Sequence, residues 1–375
     1  MPLPHDHIDP DGLQEFSVVF TDRSLNHMSA KFQGVMRDIS AMLREVYGAQ
    51  AVAVVPGGGT YAMESVARQF GRGAHVLVVR NGWFSFRWSQ IFEAGGFAAE
   101  VSVVMARQTG NGTRAPYAPP PIAEVVARIR EARPEVVFAP HVETSSGIIL
   151  PDDYITAMAQ AAHEVGALLV LDCIASGCIW VDMAATGVDV LISAPQKGWS
   201  ASPAAGLVLL SARAEARLAD TVSDSFALDL KKWRSIMAAY EGGGHAYHAT
   251  MPTDALVGFR DAMRETKNMG FDVAKAAQWA LGQGVREMLA ARGVASVAAT
   301  GFGAPGVVVS YTDDAEVQNG AKFRAEGLQI AAGVPLQVGE GAEFRTFRIG
   351  LFGLDKLADV PGTLARLEQA VARVW

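Results

Sequence analysis

The sequence predicts an α/β fold built around a mostly parallel sheet. Short apolar runs alternate with helix-forming segments up to about residue 265. Continuous runs of this kind are typical of strands that are buried on both faces of a parallel sheet. Polar residues follow two of them, since Asp172 comes after Leu168–Leu171 and Ser193 comes after Val188–Ile192. Because ligands collect at the carboxyl ends of the strands in such sheets, we expect a binding crevice there.

The composition is that of a globular protein. The 375 residues are 50% hydrophobic and 19% charged, and the net charge is −7, so a disordered chain is not expected. Without a basic block, a nucleic-acid partner is not expected either. No apolar run approaches the ~18 residues that span a bilayer, and the first residues do not read as a secretory signal. The two cysteines, Cys173 and Cys178, predict no disulfide framework and fit a reducing cytoplasm.

The N-terminal part of the chain predicts a tail followed by one helix. Residues 1–20 are rich in proline and aspartate and are expected to be irregular. We interpret His5-Asp6-His7 as part of this tail rather than as a metal site, because no further ligands cluster nearby. Apolar residues at helical spacing predict a helix over Met28–Tyr47, with Ser29 as its N-cap residue.

A glycine-rich turn follows the first predicted strand, Ala51–Val55. It reads Pro56-Gly57-Gly58-Gly59-Thr60 and leads into a predicted helix at Ala62–Ala67. A strand, a glycine turn and a helix start together form an anion site, because backbone N–H groups and the positive end of the helix face the ligand. A flexible turn is the alternative interpretation. The spacing matches neither the dinucleotide nor the nucleoside-triphosphate signature, so a phosphate is predicted here without either nucleotide.

The same patterns predict the remaining elements. The predicted strands are Val76–Val79, Val101–Met105, Val136–Ala139, Leu168–Leu171, Val188–Ile192, Gly206–Leu210, Val307–Tyr311 and Phe347–Leu351. The predicted helices are Ile122–Arg133, Pro151–Val165, Asp254–Lys267, Val273–Ala291, Glu316–Glu326 and Leu357–Val374, and Phe226–Tyr240 is amphipathic but ambiguous. Since the alternation stops near residue 265, we expect an N-terminal extension at 1–20, a large domain at 21–264 and a small α+β domain at 265–375.

One carboxylate and one lysine stand out at the predicted crevice. Asp172 and Lys197 follow two apolar runs and are 197 − 172 = 25 residues apart. The pair suits pyridoxal phosphate, because an aspartate can keep the pyridine nitrogen protonated and a lysine can form the Schiff base. For an isolated pair, a turn aspartate and a solvated loop lysine are the more ordinary interpretation. The remaining motifs therefore have to decide between the two.

Eight short motifs occur in one order along residues 26–375. They are Asn26–Ser29 (NHMS), Gly58–Glu64 (GGTYAME), Asn81–Phe84 (NGWF), Glu143–Gly147 (ETSSG), Asp172–Ser176 (DCIAS), Pro195–Gly198 (PQKG), Tyr247–Pro252 (YHATMP) and Phe347–Gly353 (FRIGLFG). In this order they resemble the class V aminotransferases, which belong to the fold-type I superfamily of pyridoxal-phosphate enzymes. Within that family the chain is most similar to the alanine–glyoxylate, serine–glyoxylate and 2-aminoethylphosphonate–pyruvate group.

The resemblance implies both a fold and a site. The implied fold is a mostly parallel seven-stranded sheet between helices, with a smaller C-terminal α+β domain. Lys197 matches the Schiff-base lysine, which also moves the Cα proton, and Asp172 matches the partner of the pyridine nitrogen. Arg348 matches the arginine that binds the substrate carboxylate through its bidentate fork; a surface ion pair is the alternative.

The other implied contacts surround the cofactor. They are Gly58, Gly59, Thr60 and Gln196 at the phosphate, Ile174 under the ring, Thr144 beside it, Phe84 stacked on it with Trp83 as the neighbouring candidate, and Tyr247 and Thr250 reaching the phosphate from the other subunit. The last two imply a homodimer with its active sites at the interface. The chain departs from the family at Ser200–Gly206, which lacks the usual double proline, and at Tyr61, which is bulky. Both departures concern the substrate more than the cofactor.

The resemblance implies a transaminase that moves an amino group from a small amino acid such as alanine or serine to a 2-oxo acid such as glyoxylate or pyruvate, by a ping-pong cycle. The alternatives on the same fold are a 2-aminoethylphosphonate-type transaminase, a lyase and a cysteine desulfurase. A desulfurase is disfavoured, because no cysteine follows Cys178. A non-catalytic relative is disfavoured because Lys197 and Asp172 are both present, and a nicotinamide enzyme is disfavoured because the dinucleotide signature is missing.

Overall fold

The computed structural model describes residues 13–375. The His5-Asp6-His7 segment and most of the predicted extension at 1–20 lie outside the described residues. The described strands are β1 (Ala51–Pro56), β2 (His75–Arg80), β3 (Glu100–Met105), β4 (Arg107–Gln108), β5 (Tyr117–Ala118), β6 (Val136–Pro140), β7 (Val142–Glu143), β8 (Ile148–Ile149), β9 (Leu168–Asp172), β10 (Val190–Ser193), β11 (Ala205–Leu210), β12 (Val307–Tyr311), β13 (Ala331–Ala332) and β14 (Thr346–Gly350).

The helices connect these strands and cover the sheet. In the described part of the chain they are α1 (Ala30–Tyr47), α2 (Gly59–Phe70), α3 (Trp83–Gly95), α4 (Ile122–Ala132), α5 (Asp152–Glu164), α6 (Met183–Thr186), α7 (Ala212–Ala219), α8 (Leu230–Glu241), α9 (Thr253–Met269), α10 (Phe271–Ala290), α11 (Ala315–Gln318), α12 (Ala321–Ala325), α13 (Leu354–Leu357) and α14 (Val360–Val374).

Seven strands form the central sheet, in the order β1-β11-β10-β9-β6-β2-β3. The pairs β9–β10, β6–β9, β2–β6 and β2–β3 are parallel. Only β11 runs against the rest of this sheet, because it is antiparallel to both of its neighbours, β1 and β10. Helices such as α2, α3, α5 and α8 pack against these strands. The predicted mostly parallel, seven-stranded sheet between helices is therefore confirmed.

The middle of the sheet is the most deeply buried part of the fold. Every residue of β9, β10 and β11 is buried, which agrees with their continuous apolar sequences. The first helix begins as predicted, because Ser29 Oγ accepts the backbone N–H of Phe32 at 3.1 Å. An N-cap hydroxyl of this kind satisfies one of the N–H groups that a helix start leaves without a partner.

Two predicted helices are wrong as single elements. The segment Glu316–Glu326 forms two short helices, because Gly320 between them has a φ of +77° and interrupts the helical path. The segment Leu357–Val374 is divided between α13 and α14. Asp359 Oδ1 accepts the N–H of Gly362 at 2.9 Å, and a proline stands in the first turn of α14, so a new helix begins there.

The C-terminal part of the chain contains a second, antiparallel sheet. Its strand order is β12-β14-β13, and α10 packs against both β12 and α14. The predicted boundary between residues 264 and 265 falls inside α9, so the division into domains at 21–264 and 265–375 stays a prediction. Within residues 13–375, no helix combines the length and the apolar character that a membrane span requires.

Candidate active site

Several loops meet at the carboxyl edge of the central sheet. Asp172, the last residue of β9, lies opposite Pro140 of β6 and Ile192 of β10 in the strand register. The loop after β10 leads to Lys197, and the turn after β1 leads to Gly58. The sheet therefore brings the predicted carboxylate, lysine and glycine turn to one edge, as expected for strands that run in the same direction.

Asp172 is buried, with 7% of its surface exposed. Its Oδ1 accepts the backbone N–H of Ile174 at 2.9 Å. Burial raises the pKa of Asp172 to about 7, and the negative charge of Glu143 acts in the same direction. The Ile174 N–H and the positive charges of Arg87 and Lys197 lower that pKa. A buried carboxylate of this kind favours a cationic partner, because its charge is otherwise costly in a region of low dielectric.

Lys197 lies in a tight loop after β10. The backbone passes very close to Gly177, since a Cβ added at Gly198 would lie 2.0 Å from Gly177 O; only glycine fits at that point. Lys197 Nζ is 5.0 Å from the centre of the Phe352 ring. Burial lowers the pKa of Lys197, the positive charge of Arg348 lowers it further, and Asp172 opposes both. A lysine with a lowered pKa is a better nucleophile and a better base near neutral pH.

The glycine turn lies at the start of α2. The first backbone N–H that bonds inside the helix is that of Tyr61, which donates to Gly58 O at 3.0 Å, so the N–H groups of Gly59 and Thr60 precede the helical bonding. A Cβ added at Gly59 would lie 2.5 Å from Ile174 Cδ1. The turn therefore packs against the residue next to Asp172, and its N–H groups form an anion site beside the crevice.

The first turn of α3 is held by a buried carboxylate, Glu143. Its Oε1 accepts the backbone N–H of Phe84 at 3.1 Å, and its Oε2 accepts the N–H of Ser85 at 2.8 Å and the Ser85 hydroxyl at 2.6 Å. Ser145 donates both its N–H and its hydroxyl to Oε1, at 3.0 and 2.7 Å. A negative charge is favourable at a helix N-terminus, and here it fixes the position of the Phe84 ring.

Arg348 lies on β14, on the small antiparallel sheet. Its Nε donates to Ala332 O at 2.8 Å, and its guanidinium carbon is 5.6 Å from the centre of the Phe84 ring. Burial lowers the pKa of Arg348, which Glu143 raises. Because Arg348 also lowers the pKa of Lys197, its charge acts on the same crevice. A guanidinium there can bind a carboxylate with two parallel hydrogen bonds.

The structure places two further predicted residues beside this group. Gln196 precedes Lys197, and its Oε1 is buried without a hydrogen-bond partner among the described residues. Thr144 is half-buried next to Glu143. Their amide and hydroxyl groups are suited to a polar ligand in the crevice.

Among the described residues, no hydrogen bond or ring contact joins Tyr247 or Thr250 to Lys197, Asp172 or the glycine turn. The Tyr247 hydroxyl lies 3.1 Å from Thr250 Oγ1, and its ring centre lies 5.4 Å from that of His27. Tyr247 is 53% exposed. These two side chains are therefore accessible on the surface of a single subunit.

Three residues at the site were not predicted from the sequence. Glu143 is the first residue of one of the eight motifs, but no role was assigned to it. Arg87 lies three residues after Phe84, hence one helical turn further along α3, and Phe352 lies four residues after Arg348. Their short distance in sequence from Phe84 and Arg348 was the feature that could have indicated a place at the site. Among the described residues, no group of three or more His, Cys, Asp or Glu side chains is placed to bind a metal ion.

Comparison with known proteins gives consistent results. The family model described as class V aminotransferase matches residues 13–333. A 2-aminoethylphosphonate–pyruvate transaminase from Burkholderia mallei is 30% identical over 365 residues, covering 93% of this chain and 91% of that protein. A protein described as the small subunit of a soluble hydrogenase, from Synechococcus sp., is 25% identical over 354 residues, covering 93% and 88%. The crystal structure of an alanine–glyoxylate aminotransferase from Nostoc sp. has a TM-score of 0.77 at 23% identity, covering 93% of this chain and 88% of that one, which supports the fold.

Proposed function

The chain belongs to the class V aminotransferases. We propose that it holds pyridoxal phosphate at Lys197 and transfers an amino group from a small amino acid to a 2-oxo acid. The observation that carries the proposal is the convergence of three charged groups on one crevice. Lys197 lowers the pKa of Asp172, and Asp172 raises the pKa of Lys197. Arg348 lowers the pKa of Lys197. Family membership supports a transaminase.

The residues of the crevice fit this cofactor. The glycine turn offers backbone N–H groups at the start of α2, which suits a phosphate. The Gly59 backbone lies against the Ile174 side chain, and the Ile174 N–H donates to the Asp172 carboxylate. Ile174 therefore contacts both the glycine turn and the carboxylate. Among the described residues, Gln196 Oε1 is buried without a hydrogen-bond partner. This oxygen can only accept a hydrogen bond, so a phosphate would be bound by the NH2 group of the same amide.

Each protein group then has a defined task. When bound, pyridoxal phosphate supplies an aldehyde that takes up an amino group and a ring that accepts the electron pair released at the substrate Cα. Asp172 would accept a hydrogen bond from the protonated pyridine nitrogen and keep that nitrogen positively charged. Lys197 Nζ would take the proton from the substrate Cα and deliver it to the cofactor rather than back to Cα, since burial and Arg348 favour its neutral form. Phe84 would hold the ring from above and exclude water.

The substrates follow from Arg348 and from the aromatic residues around it. A guanidinium next to Lys197 favours a carboxylate, which amino acids and 2-oxo acids share. Phe352 stands 5.0 Å from Lys197 Nζ and restricts the space for a donor side chain. We therefore propose alanine or serine as donor and glyoxylate or pyruvate as acceptor. The relative from Burkholderia mallei favours 2-aminoethylphosphonate as the alternative donor.

We infer that the working form is a homodimer. Tyr247 and Thr250 are accessible on the single chain and bonded to each other, as expected if they complete the phosphate site of a second copy.

A cytoplasmic location remains part of the proposal. It is supported by Cys173 and Cys178, which are both buried and unpaired.

The proposal is tested by single half-reactions. Protein loaded with pyridoxal phosphate is mixed with one amino donor at a time, and the visible absorption of the bound cofactor is followed. A donor should remove that absorption and yield its oxo acid, and glyoxylate or pyruvate should then restore it. Lys197→Ala should abolish turnover, whereas Lys232→Ala, a change of an exposed lysine on α8, should not. Release of ammonia or sulfide without an acceptor would instead indicate a lyase or a desulfurase.

A further inference from the structure

Arg87 connects helix α3 to the glycine turn at the start of α2. It lies on α3, and its Nη1 donates a hydrogen bond to Thr60 Oγ1, in the glycine turn, at 2.9 Å. Its guanidinium carbon is also 5.2 Å from the centre of the Phe84 ring. The side chain is half-buried, and the described residues accept one hydrogen bond from it, the bond to Thr60. Several N–H groups of the guanidinium therefore remain for a ligand.

The bond between Arg87 and Thr60 has a fixed direction. A guanidinium can only donate, so the Thr60 hydroxyl must accept in this pair. Its own hydrogen is then available for another acceptor, and the backbone N–H of Thr60 precedes the helical bonding of α2. Arg87 thus orients Thr60 as a donor at the start of the helix, where an anion is favoured. Chained hydrogen bonds of this kind strengthen one another.

Arg87 also supplies charge that the turn lacks. The other groups proposed to contact the phosphate within one subunit are Gly58, Gly59, Thr60 and Gln196, which are all neutral. A phosphate dianion in a partly buried site gains most from a positively charged donor.

The second guanidinium of the crevice, Arg348, has a different hydrogen-bond partner, since its Nε donates to Ala332 O at 2.8 Å. Arg348 acts on the pKa of Lys197, whereas Arg87 acts on that of Asp172. Both guanidinium carbons lie near the Phe84 ring, but among the described residues only Arg87 bonds to the glycine turn.

We propose that Arg87 is a cofactor-binding residue, which contacts the phosphate of pyridoxal phosphate directly and holds Thr60 in the orientation that donates to the same phosphate. This inference rests on the proposed function, because it presupposes that pyridoxal phosphate binds in this crevice. It assigns Arg348 alone to the carboxylate of the substrate. The prediction is that loss of Arg87 weakens binding of the phosphate and leaves binding of the aldehyde and the ring unchanged.

The test compares pyridoxal phosphate with pyridoxal, which lacks the phosphate. The full-length chain is freed of cofactor, and the dissociation constant of each compound is measured by absorbance titration. Arg87→Gln should weaken binding of pyridoxal phosphate by about 10- to 100-fold, as expected for a lost charged hydrogen bond, and should leave that of pyridoxal within about threefold. Arg128→Gln removes an equal charge from the exposed face of α4 and should change neither constant.

Two more variants keep the test decisive if Arg87→Gln does not fold, which a thermal melt will show. Arg87→Lys keeps the charge without the planar fork and should lie between wild type and Arg87→Gln. Thr60→Val removes the hydroxyl that Arg87 bonds, and its effect should not add to that of Arg87→Lys. Equal weakening of both compounds, or of neither, would overturn the inference while the proposed function stands. A wild-type protein that does not bind pyridoxal phosphate at all would instead refute the proposed function.

Discussion

The buried carboxylate of Glu143 accepts the backbone N–H of Phe84 at 3.1 Å. Through this bond strand β7 positions the aromatic ring at the start of α3, although the two residues are 59 positions apart in the chain. The same carboxylate also accepts bonds from Ser85 and Ser145. Glu143 is therefore a positioning residue, because it acts on the crevice through the ring of Phe84.

Glu143→Gln tests this arrangement. A glutamine has one acceptor oxygen where the carboxylate has two, so the bonds at one of the two oxygens are lost in a buried region. We expect the free energy of unfolding to fall by about 1–3 kcal/mol and the affinity for pyridoxal phosphate to fall with it. Chemical unfolding and absorbance titration measure the two effects. The control is Glu131→Gln, since Glu131 forms an exposed ion pair with Arg128 and should matter little. Equal stability of both variants would refute the positioning role.

The pH dependence of stability tests the environment of Asp172. Because burial raises its pKa to about 7, the folded state binds a proton that the unfolded state releases above about pH 4. The contribution of this group to stability is therefore present below about pH 4 and is lost as the pH rises through about 7. In cofactor-free protein, Asp172→Asn should show a flatter decline in the free energy of unfolding over that range. Identical slopes for wild type and variant would contradict the buried position.

Arg348→Lys should affect the substrate and spare the cofactor. The lysine keeps the charge but loses the planar fork that binds a carboxylate with two hydrogen bonds. We expect kcat/KM for the 2-oxo acid to fall by about 10- to 100-fold, mainly through a higher KM. The dissociation constant of pyridoxal phosphate should stay unchanged, and this is the internal control. A variant with an unaltered KM for the oxo acid would show that Arg348 does not bind the carboxylate.

Phe352 is expected to limit the size of the amino donor. Its ring lies 5.0 Å from Lys197 Nζ, and it also contacts the backbone at Gly306, where an added Cβ would lie 2.9 Å from the ring. Phe352→Ala should raise the half-reaction rate with norvaline relative to alanine by about tenfold, the scale of discrimination by a few methylene groups. Phe352→Leu, which keeps most of the volume, serves as the matched control. An unchanged ratio in Phe352→Ala would place the limit elsewhere.

Subunit complementation tests the homodimer. Lys197→Ala and the double variant Tyr247→Phe, Thr250→Ala should each be weakly active or inactive alone. In a mixed dimer, one active site contains all the changes and the other contains none, provided that the two surface residues serve the neighbouring subunit. Equal mixing after dissociation should restore about one quarter of the sites, from the symmetry of the dimer. No recovery in confirmed mixed dimers would show that both sets of residues act within one subunit.

The sheet and the positions of Asp172 and Lys197 followed from local sequence features. Apolar runs identify buried strands, and the residue that follows a run necessarily lies at the carboxyl edge. The close approach of Gly198 to Gly177 could not be predicted in this way, because local sequence does not reveal which distant backbone segment a glycine lies against. The division of Leu357–Val374 into two helices was missed because apolar spacing continued through Asp359, where the capping bond restarts the helix.

Arg87 and Phe352 could not be assigned from the sequence. An arginine within a helix is most often solvated, and the contact of Arg87 with Thr60 arises only because α3 packs against α2. Phe352 follows β14 of the small sheet, whereas Lys197 follows β10 of the central sheet. Their approach is a tertiary contact that no short stretch of sequence reveals. Tyr247 and Thr250 depend on a second subunit, which a single chain does not specify.

The attachment of pyridoxal phosphate to Lys197 can be measured by chemical trapping. Protein loaded with pyridoxal phosphate is reduced with sodium borohydride, digested and mapped by mass spectrometry. We expect a pyridoxyl phosphate adduct on the peptide that contains Lys197, and no adduct in Lys197→Ala treated in the same way. An adduct on another lysine at full occupancy, or an unmodified Lys197 in protein that retains the cofactor, would contradict this expectation.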